Sequence, residues 1–303
     1  MHGVLIIDKP PGLTSHDVVN RVRRALRQKA VGHLGTLDPL ATGVLPLVIG
    51  RLTRLAQFYT ASEKAYEGVI RFGFATDTYD ADGDPTAPEQ HPNLSLEQVR
   101  SIAANFKGII QQLPPPFSAK KIRGVPAYKL ARKNKEVPLK PIQTDIKEFE
   151  ITALDALRAR FQARVASGTY MRSVAHDMGQ QLGCGAHLES LRRTQLAEFA
   201  LADAHPLEEI EAAVNTGNIN IDNLFVHPRK LLPQIPPVVA NEEMAARIRS
   251  GRTVNLPELS RARQVKVFFG QRELIAIATR VAGTLFHPKI VLAADTPVRE
   301  SCH

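Results

Sequence analysis

Apolar residues recur along this chain in two rhythms, one of period two and one near 3.6, and together they divide it into short strands and short helices. Gly3-Val4-Leu5-Ile6-Ile7 is an apolar run ended by Asp8-Lys9-Pro10-Pro11-Gly12, which predicts a strand and a turn. Thr14 or Ser15 can cap the next helix, with Asp17 in its first turn. Val18, Val19, Val22 and Leu26 form its apolar face, while Arg21, Arg23, Arg24, Arg27 and Lys29 fall elsewhere. A second short helix is expected over residues 51–59. From residue 64 to 74 the period is two, and Tyr66, Gly68, Ile70, Phe72 and Phe74 share one strand face. Ser95 and Gln98 make a capping box for a helix carrying Leu96, Val99, Ile102, Ala103 and Phe106, closed by Gly108.

Strands are predicted over residues 141–153 and 157–166. In the second, Leu157, Ala159, Phe161, Ala163 and Val165 alternate with Arg158, Arg160, Gln162 and Arg164, so one face is core and the other wet and positive. A turn at 167–170 leads to a helix with Met171, Val174, Ala175, Met178 and Leu182, stopping at Gly183. Another helix is expected over 206–217. Pro228, Pro233, Pro236 and Pro237 mark a boundary, beyond which lie a short helix (241–250) and β runs at 264–269 and 273–279. Residues 1–230 therefore read as one domain and 231–303 as a small β-rich second one. No fixed repeat occurs.

Charge changes this picture. The chain of 303 residues has a formal net charge of +9. Residues 118–140 hold eight basic residues, among them Lys120, Lys121, Arg132 and Lys133, against Glu136 alone, a local charge of +7. Such blocks are solvated, and they grip nucleic-acid backbones. No apolar run reaches the 18 or so residues of a membrane span, and the N-terminus lacks signal-peptide character. Two cysteines without metal-ligand spacing predict a reducing, cytoplasmic setting with no structural disulfide or zinc.

Several motifs fail. No phosphate-cradling G-x-x-x-x-G-K-[ST] occurs. The run from Gly183 lacks the third glycine of a dinucleotide fingerprint and follows a helix. Ser15-His16-Asp17 contains triad residue types, but sequence neighbours do not make triad geometry. The acidic stretch 77–85 fails the calcium-loop template, with Pro85 where glycine is needed and His91 where glutamate is needed, and reads as a solvated loop with Asx turns. The remaining candidate is Gly32-His33-Leu34-Gly35-Thr36-Leu37-Asp38-Pro39-Leu40-Ala41-Thr42-Gly43, a bent loop around a single carboxylate. Pro39 biases Asp38 towards extended dihedrals. These residues alone fit a rigid mount for a working acid and fit equally a structural turn capped by Asp38.

That loop, with Asp8-Lys9-Pro10-Pro11-Gly12-Leu13-Thr14-Ser15, Lys64-Ala65-Tyr66, Gly168-Thr169-Tyr170-Met171-Arg172 and Leu191-Arg192-Arg193-Thr194, closely resembles the TruB family of tRNA pseudouridine synthases, in family order over about 200 residues. The resemblance implies an α/β (α+β) fold: a mixed, largely antiparallel sheet with flanking helices, and a small β-rich PUA-like RNA-binding domain at the C-terminus. It implies isomerisation of uridine 55 in the tRNA T loop, without cofactor or metal. Asp38 would be the essential acid, Arg172 its paired cation and Tyr66 the ring stacking on the flipped uracil. His33 would help occupy the disrupted T loop, and Tyr170 and Leu191 would line the pocket. Segment 118–140 would be the thumb that closes over the T arm. Without the resemblance, Tyr66, Tyr170 and Leu191 read as packing residues, and Arg172 and His33 as surface residues. Leu40-Ala41 resembles bacterial members that work as stand-alone monomers without guide RNA. Ala197 departs from the glycine expected there. A non-catalytic tRNA chaperone and a metal-dependent nuclease built on the Asp77–Asp84 cluster are the alternatives.

Overall fold

The structure, a computed structural model, describes residues 1–117, 121–122, 125–126, 140–216, 221–259 and 261–292. Strand β1 (Gly3–Lys9) buries Leu5 and Ile7 in one apolar cluster and Val4 and Ile6 in another. A strand covered on both faces needs such an unbroken apolar run. Helix α1 (Ser15–Ala25) is capped by Thr14 in a full capping box with Asp17, and it buries Val18, Val19 and Val22. Strands β2 (Val31–His33) and β3 (Thr42–Ile49) flank the glycine-rich loop. The helix expected over 51–59 is a 3₁₀ helix, Gly50–Phe58.

Strand β4 (Lys64–Phe72) and helix α2 (Leu96–Ala104) follow, the latter with both bonds of the Ser95–Gln98 capping box in place. Gly108 does not close that helix. With φ at 86° it opens an edge strand, β5 (Gly108–Gln112), that the pattern did not predict. The fragments β6 (Lys121–Ile122) and β7 (Val125–Pro126) pair with each other. Strands β8 (Ile142–Asp155) and β9 (Arg158–Val165) form the next hairpin. Helix α3 (Met171–Gln181), strand β10 (Ala186–Leu196), the short β11 (Phe199–Ala200) and β12 (His205–Pro206), and helix α4 (Leu207–Thr216) complete this part. Then come β13 (Pro237–Ala240), α5 (Glu242–Arg249), β14 (Val254–Asn255), β15 (Gln264–Phe269), β16 (Glu273–Ala282) and β17 (Leu285–Val291).

The large sheet has the order β12-β1-β3-β10-β4-β9-β8-β5, with β2 beside β3 and β11 beside β10. It is mixed but largely antiparallel; β1 with β12 and β3 with β10 are its parallel pairs. Helices α1 to α4 cover one face through Val19, Val99, Val174, Met178 and Ile210, meeting Phe72, Phe149 and Phe161 from the strands. The strict alternation of β9 puts Ala159, Phe161, Ala163 and Val165 in that core. The second sheet, β13-β15-β16-β17-β14, packs on the back of β1 and β3. Phe268, Ile277 and Ile290 share a cluster with Val4, Ile6, Leu55 and Phe199. No helix among the described residues is long and apolar enough to cross a membrane.

Candidate active site

Between β2 and β3 the chain leaves the sheet for eight residues and returns, and bonds from β1, α1, β3 and β10 fasten it on both sides of Asp38. Leu34 N donates to Pro46 O at 2.9 Å, and Leu34 and Leu37 plug the loop into the core at 3% exposure each. Ser15, first residue of α1, accepts from Leu37 N at 2.8 Å and donates to Leu37 O at 3.0 Å through its hydroxyl. Lys9, with no exposed surface, ends β1 by donating to Ala41 O at 2.7 Å, Pro10 O at 2.9 Å and Pro39 O at 3.1 Å. Arg193, equally buried on β10, donates to Val44 O at 2.7 Å and Gly35 O at 3.0 Å. Gly43 is needed where β3 meets β10: its φ is 95°, and a Cβ there would lie 2.3 Å from Arg193 O. Asp38 is therefore presented on a backbone with almost no freedom.

Helix α3 brings the counter-charge. Tyr170 caps it, held by Gln112 of β5, whose side chain accepts from Tyr170 N at 2.8 Å and donates to Tyr170 O at 3.0 Å. Arg172, in the first turn and buried, places its guanidinium 2.9 Å from Asp38 Oδ2 and 3.3 Å from Asp80 Oδ2. It also donates to Phe117 O at 2.9 Å, beside the basic segment, and to Thr78 O at 3.2 Å. Two carboxylates thus share one cation. Asp38 is 42% exposed through the cavity mouth, yet protein encloses its other sides. That burial pushes its carboxyl above the ordinary 3.8; Arg172 pulls it down and Asp80 adds to the rise. Burial also pushes the Lys9 ammonium down to about 8, with Asp38 opposing.

Asp38, Arg172, Tyr66, Tyr170 and Leu191 line one cavity of about 440 Å³, together with Tyr59 and Lys64. That lies within the roughly 300–1,000 Å³ of small-ligand sites. Tyr66 on β4 is buried, opposite Arg193 of β10 in the sheet register. A fixed, ionisable carboxylate beside a guanidinium and an aromatic ring suits attack on, or proton removal from, a flat ligand inserted into the space. His33 lies on β2, outside the lining; burial, with Arg193 and His16 adding, lowers its pKa below 6.5. Lys120, Arg132 and Lys133 lie outside the described residues, and for Lys121 only the strand is described.

The acidic stretch 77–85 has its expected Asx turn and exposes Asp77, Asp82 and Asp84, but departs from expectation at Asp80. Asp80 is 4% exposed, not solvated, and besides meeting Arg172 it accepts from Thr78 Oγ1 at 2.6 Å and Asp82 N at 3.2 Å. Tyr79 locks the loop by stacking on His176 of α3, ring centroids 3.7 Å apart and 13° from parallel. Asp77, itself exposed, accepts from Asp84 N at 3.0 Å. The carboxylates serve the loop and Arg172; among the described residues no group of three or more His, Cys, Asp or Glu could hold a metal. Sequence reasoning missed Asp80, Lys9, Ser15, Arg193 and Gln112. A tyrosine inside a polar acidic run, and a lysine ending an apolar strand, were the available signals.

Residues 23–171 match the family described as TruB family pseudouridylate synthase (N terminal domain), and residues 172–232 match the tRNA pseudouridylate synthase B C-terminal domain. A Solibacter usitatus protein named tRNA pseudouridine synthase B is 49% identical over 295 residues, covering 96% of this chain and 100% of that one. Relatives of the same name from Aquifex aeolicus (38% identical, 88% and 92% covered) and Dehalococcoides mccartyi (34%, 99% and 100%) agree. The chain belongs to the TruB family of pseudouridine synthases. The fold matches a crystal structure of a Cbf5-Nop10-Gar1 complex (TM-score 0.70, 23% identity, 96% of this chain and 85% of that one). It matches equally an H/ACA RNP bound to a substrate RNA containing 2'-deoxyuridine (TM-score 0.70, 22% identity, 96% and 85% covered).

Proposed function

We propose that this chain isomerises uridine 55 in the T loop of tRNA to pseudouridine, with Asp38 as the essential group. The observation that carries the reading is the Asp38–Arg172 pair on the floor of a cavity walled by Tyr66, in a chain of this family. The names of its close relatives support tRNA as the substrate.

The reaction breaks the uridine N1–C1′ bond, turns the uracil and forms a C5–C1′ bond. N1 gains a proton and C5 loses one, with no change of oxidation state. The target base is stacked in a folded loop and must be flipped out first. Tyr66 stacks on the flipped ring, a grip of roughly 1–3 kcal/mol for such contacts. Asp38 reacts with the nucleotide, at the sugar or at the base, and every such route needs its ionised form. Arg172 keeps it ionised and aimed. Asp80 keeps Arg172 in place from the other side. Tyr66 also assists loss of the C5 proton, Tyr170 and Leu191 shape the pocket, and His33 occupies the opened T loop. Residues 118–140 supply the thumb, and the C-terminal sheet is the PUA-like RNA-binding element. The enzyme acts without guide RNA, as a monomer.

The test uses an unmodified tRNA transcript carrying tritium at uridine C5. One equivalent of tritium per tRNA should be released, in excess chelator and with the tRNA intact. A transcript with cytidine at the T-loop position should release none. No release from the first transcript overturns the reading in favour of a binding module or chaperone, and strand cleavage in favour of a nuclease.

A further inference from the structure

Three charged side chains line the cavity: Asp38, Arg172 and Lys64. The first two are committed. Both terminal nitrogens of Arg172 are occupied, one by Asp38 and Phe117 O, the other by Asp80 and Thr78 O. Lys64 is different. Its ammonium donates to Ser62 O at 2.9 Å, the one acceptor it has among the described residues, and an ammonium has three protons to give.

Its placement is specific. Lys64 opens β4, two residues before Tyr66, so the two side chains stand on the same strand face roughly 7 Å apart along the strand. Its stem runs past Gly35 of the Asp38 loop, where a Cβ would sit 3.5 Å from Lys64 Cε. Lys64 thus offers spare ammonium protons in the same cavity as Tyr66 and Asp38, beside the Asp38 loop, where an anionic group of a ligand can meet them. Uracil is neutral, and the anions of a flipped nucleotide are its phosphodiesters.

We propose that Lys64 binds the backbone phosphate flanking the flipped uridine, a phosphodiester subsite that fixes the nucleotide's depth in the cavity. The inference rests on the reading of the cavity as a nucleotide site. Several groups surround this ammonium. Arg193 on β10 adds repulsion, Asp38 and Arg172 lie in the same cavity, and Glu63 and Arg164 flank a groove behind it that Lys64 also lines. Tyr59 and Tyr66 complete its surroundings. Burial first, then Arg193, push the ammonium down to about 8, so a phosphate arriving there restores a full charge pair.

The test pairs the Lys64→Gln and Lys64→Arg variants with tRNA bearing a neutral methylphosphonate in place of the flanking phosphate, read by tritium release. With the natural substrate, Lys64→Gln should raise KM roughly 10-fold or more and flatten the salt dependence by nearly one unit of slope. Lys64→Arg should restore both. With the methylphosphonate substrate, wild type should fall to the Lys64→Gln level and the variant should lose nothing further. The rise of the wild-type KM above pH of about 8 should vanish in Lys64→Arg, separating Lys64 from Lys9, which titrates in the same range. Additive losses from variant and methylphosphonate, or a fall in kcat with KM and salt slope unchanged, would overturn the proposal. No tritium release by wild type would instead sink the functional reading on which it rests.

Discussion

Asp38 carries a conflict between folding and chemistry. Burial raises its carboxyl above 3.8 while Arg172 works against that rise. If the ionised form does the chemistry, kcat/KM falls as pH drops through the raised value of the free enzyme, so the acid limb of the kcat/KM profile should have its midpoint above 3.8. Replacing Arg172 by Lys, which keeps charge but loses the fork reaching Asp38 and Asp80 together, should move that limb upward and lower kcat. A limb at or below 3.8 in the wild type would contradict the assignment. The sign for stability follows from the same shift: the folded state holds the proton more tightly, so stability is lost as pH rises through the folded value. Asp38→Asn should thus be at least as stable as wild type at pH 7, the two converging at low pH, as thermal melts can establish. The motif around Asp38 and the residues Tyr66, Tyr170, Arg172 and Leu191 were legible in sequence because they sit in contiguous, family-like strings. Asp80 was not, because its partner Arg172 lies 92 positions away and acids in a Gly- and Pro-containing run look solvated.

Strands with clean alternation were equally legible: β9 buries every second residue, and β4 buries Tyr66, Ile70 and Phe72 on one face. Strand β10 was not, because its pairing with β4 shifts register after Leu188 and again after Arg193. Each shift moves side chains to the other face, which is how the fully buried Arg193 escapes a period-two reading. Edge strand β5 was hidden for another reason: with Ile109 70% exposed, it buries too little to leave an alternating trace. The turn after β10 explains the Ala197 departure. Its φ is 48°, the left-handed region that glycine favours. An L-residue there costs roughly 1–2 kcal/mol, and glycine gives back about 0.4–1 kcal/mol through the unfolded chain. Ala197→Gly should stabilise the protein by about 0.5–1 kcal/mol in urea denaturation; a loss of stability would show that the methyl group packs usefully.

The two sheets meet through more than apolar contact. Glu198 accepts from Tyr59 Oη at 2.6 Å and from Leu232 N at 2.9 Å, and Lys266 of β15 donates to Leu231 O at 2.6 Å. Tyr59 lines the cavity, so the C-terminal sheet is tied to the cavity wall through a short polar chain inside a shared core. The charge excess lies elsewhere, in residues 118–140. Replacing Lys120, Lys121, Arg132 and Lys133 together by Ala should weaken tRNA binding and reduce the slope of log K against log salt by up to about 3. An unchanged slope, measured by filter binding over a salt series, would remove this segment from the tRNA interface.

The decisive comparison is single-turnover tritium release from C5-labelled tRNA by wild type and by Asp38→Asn, with saturating enzyme and with the variant's fold and tRNA binding verified. Wild type should release one equivalent, and Asp38→Asn should be slower by roughly 10⁴-fold or more while still binding tRNA. Release by Asp38→Asn at the wild-type rate would show that the loop between β2 and β3 is only a turn and that the chemistry belongs to another group.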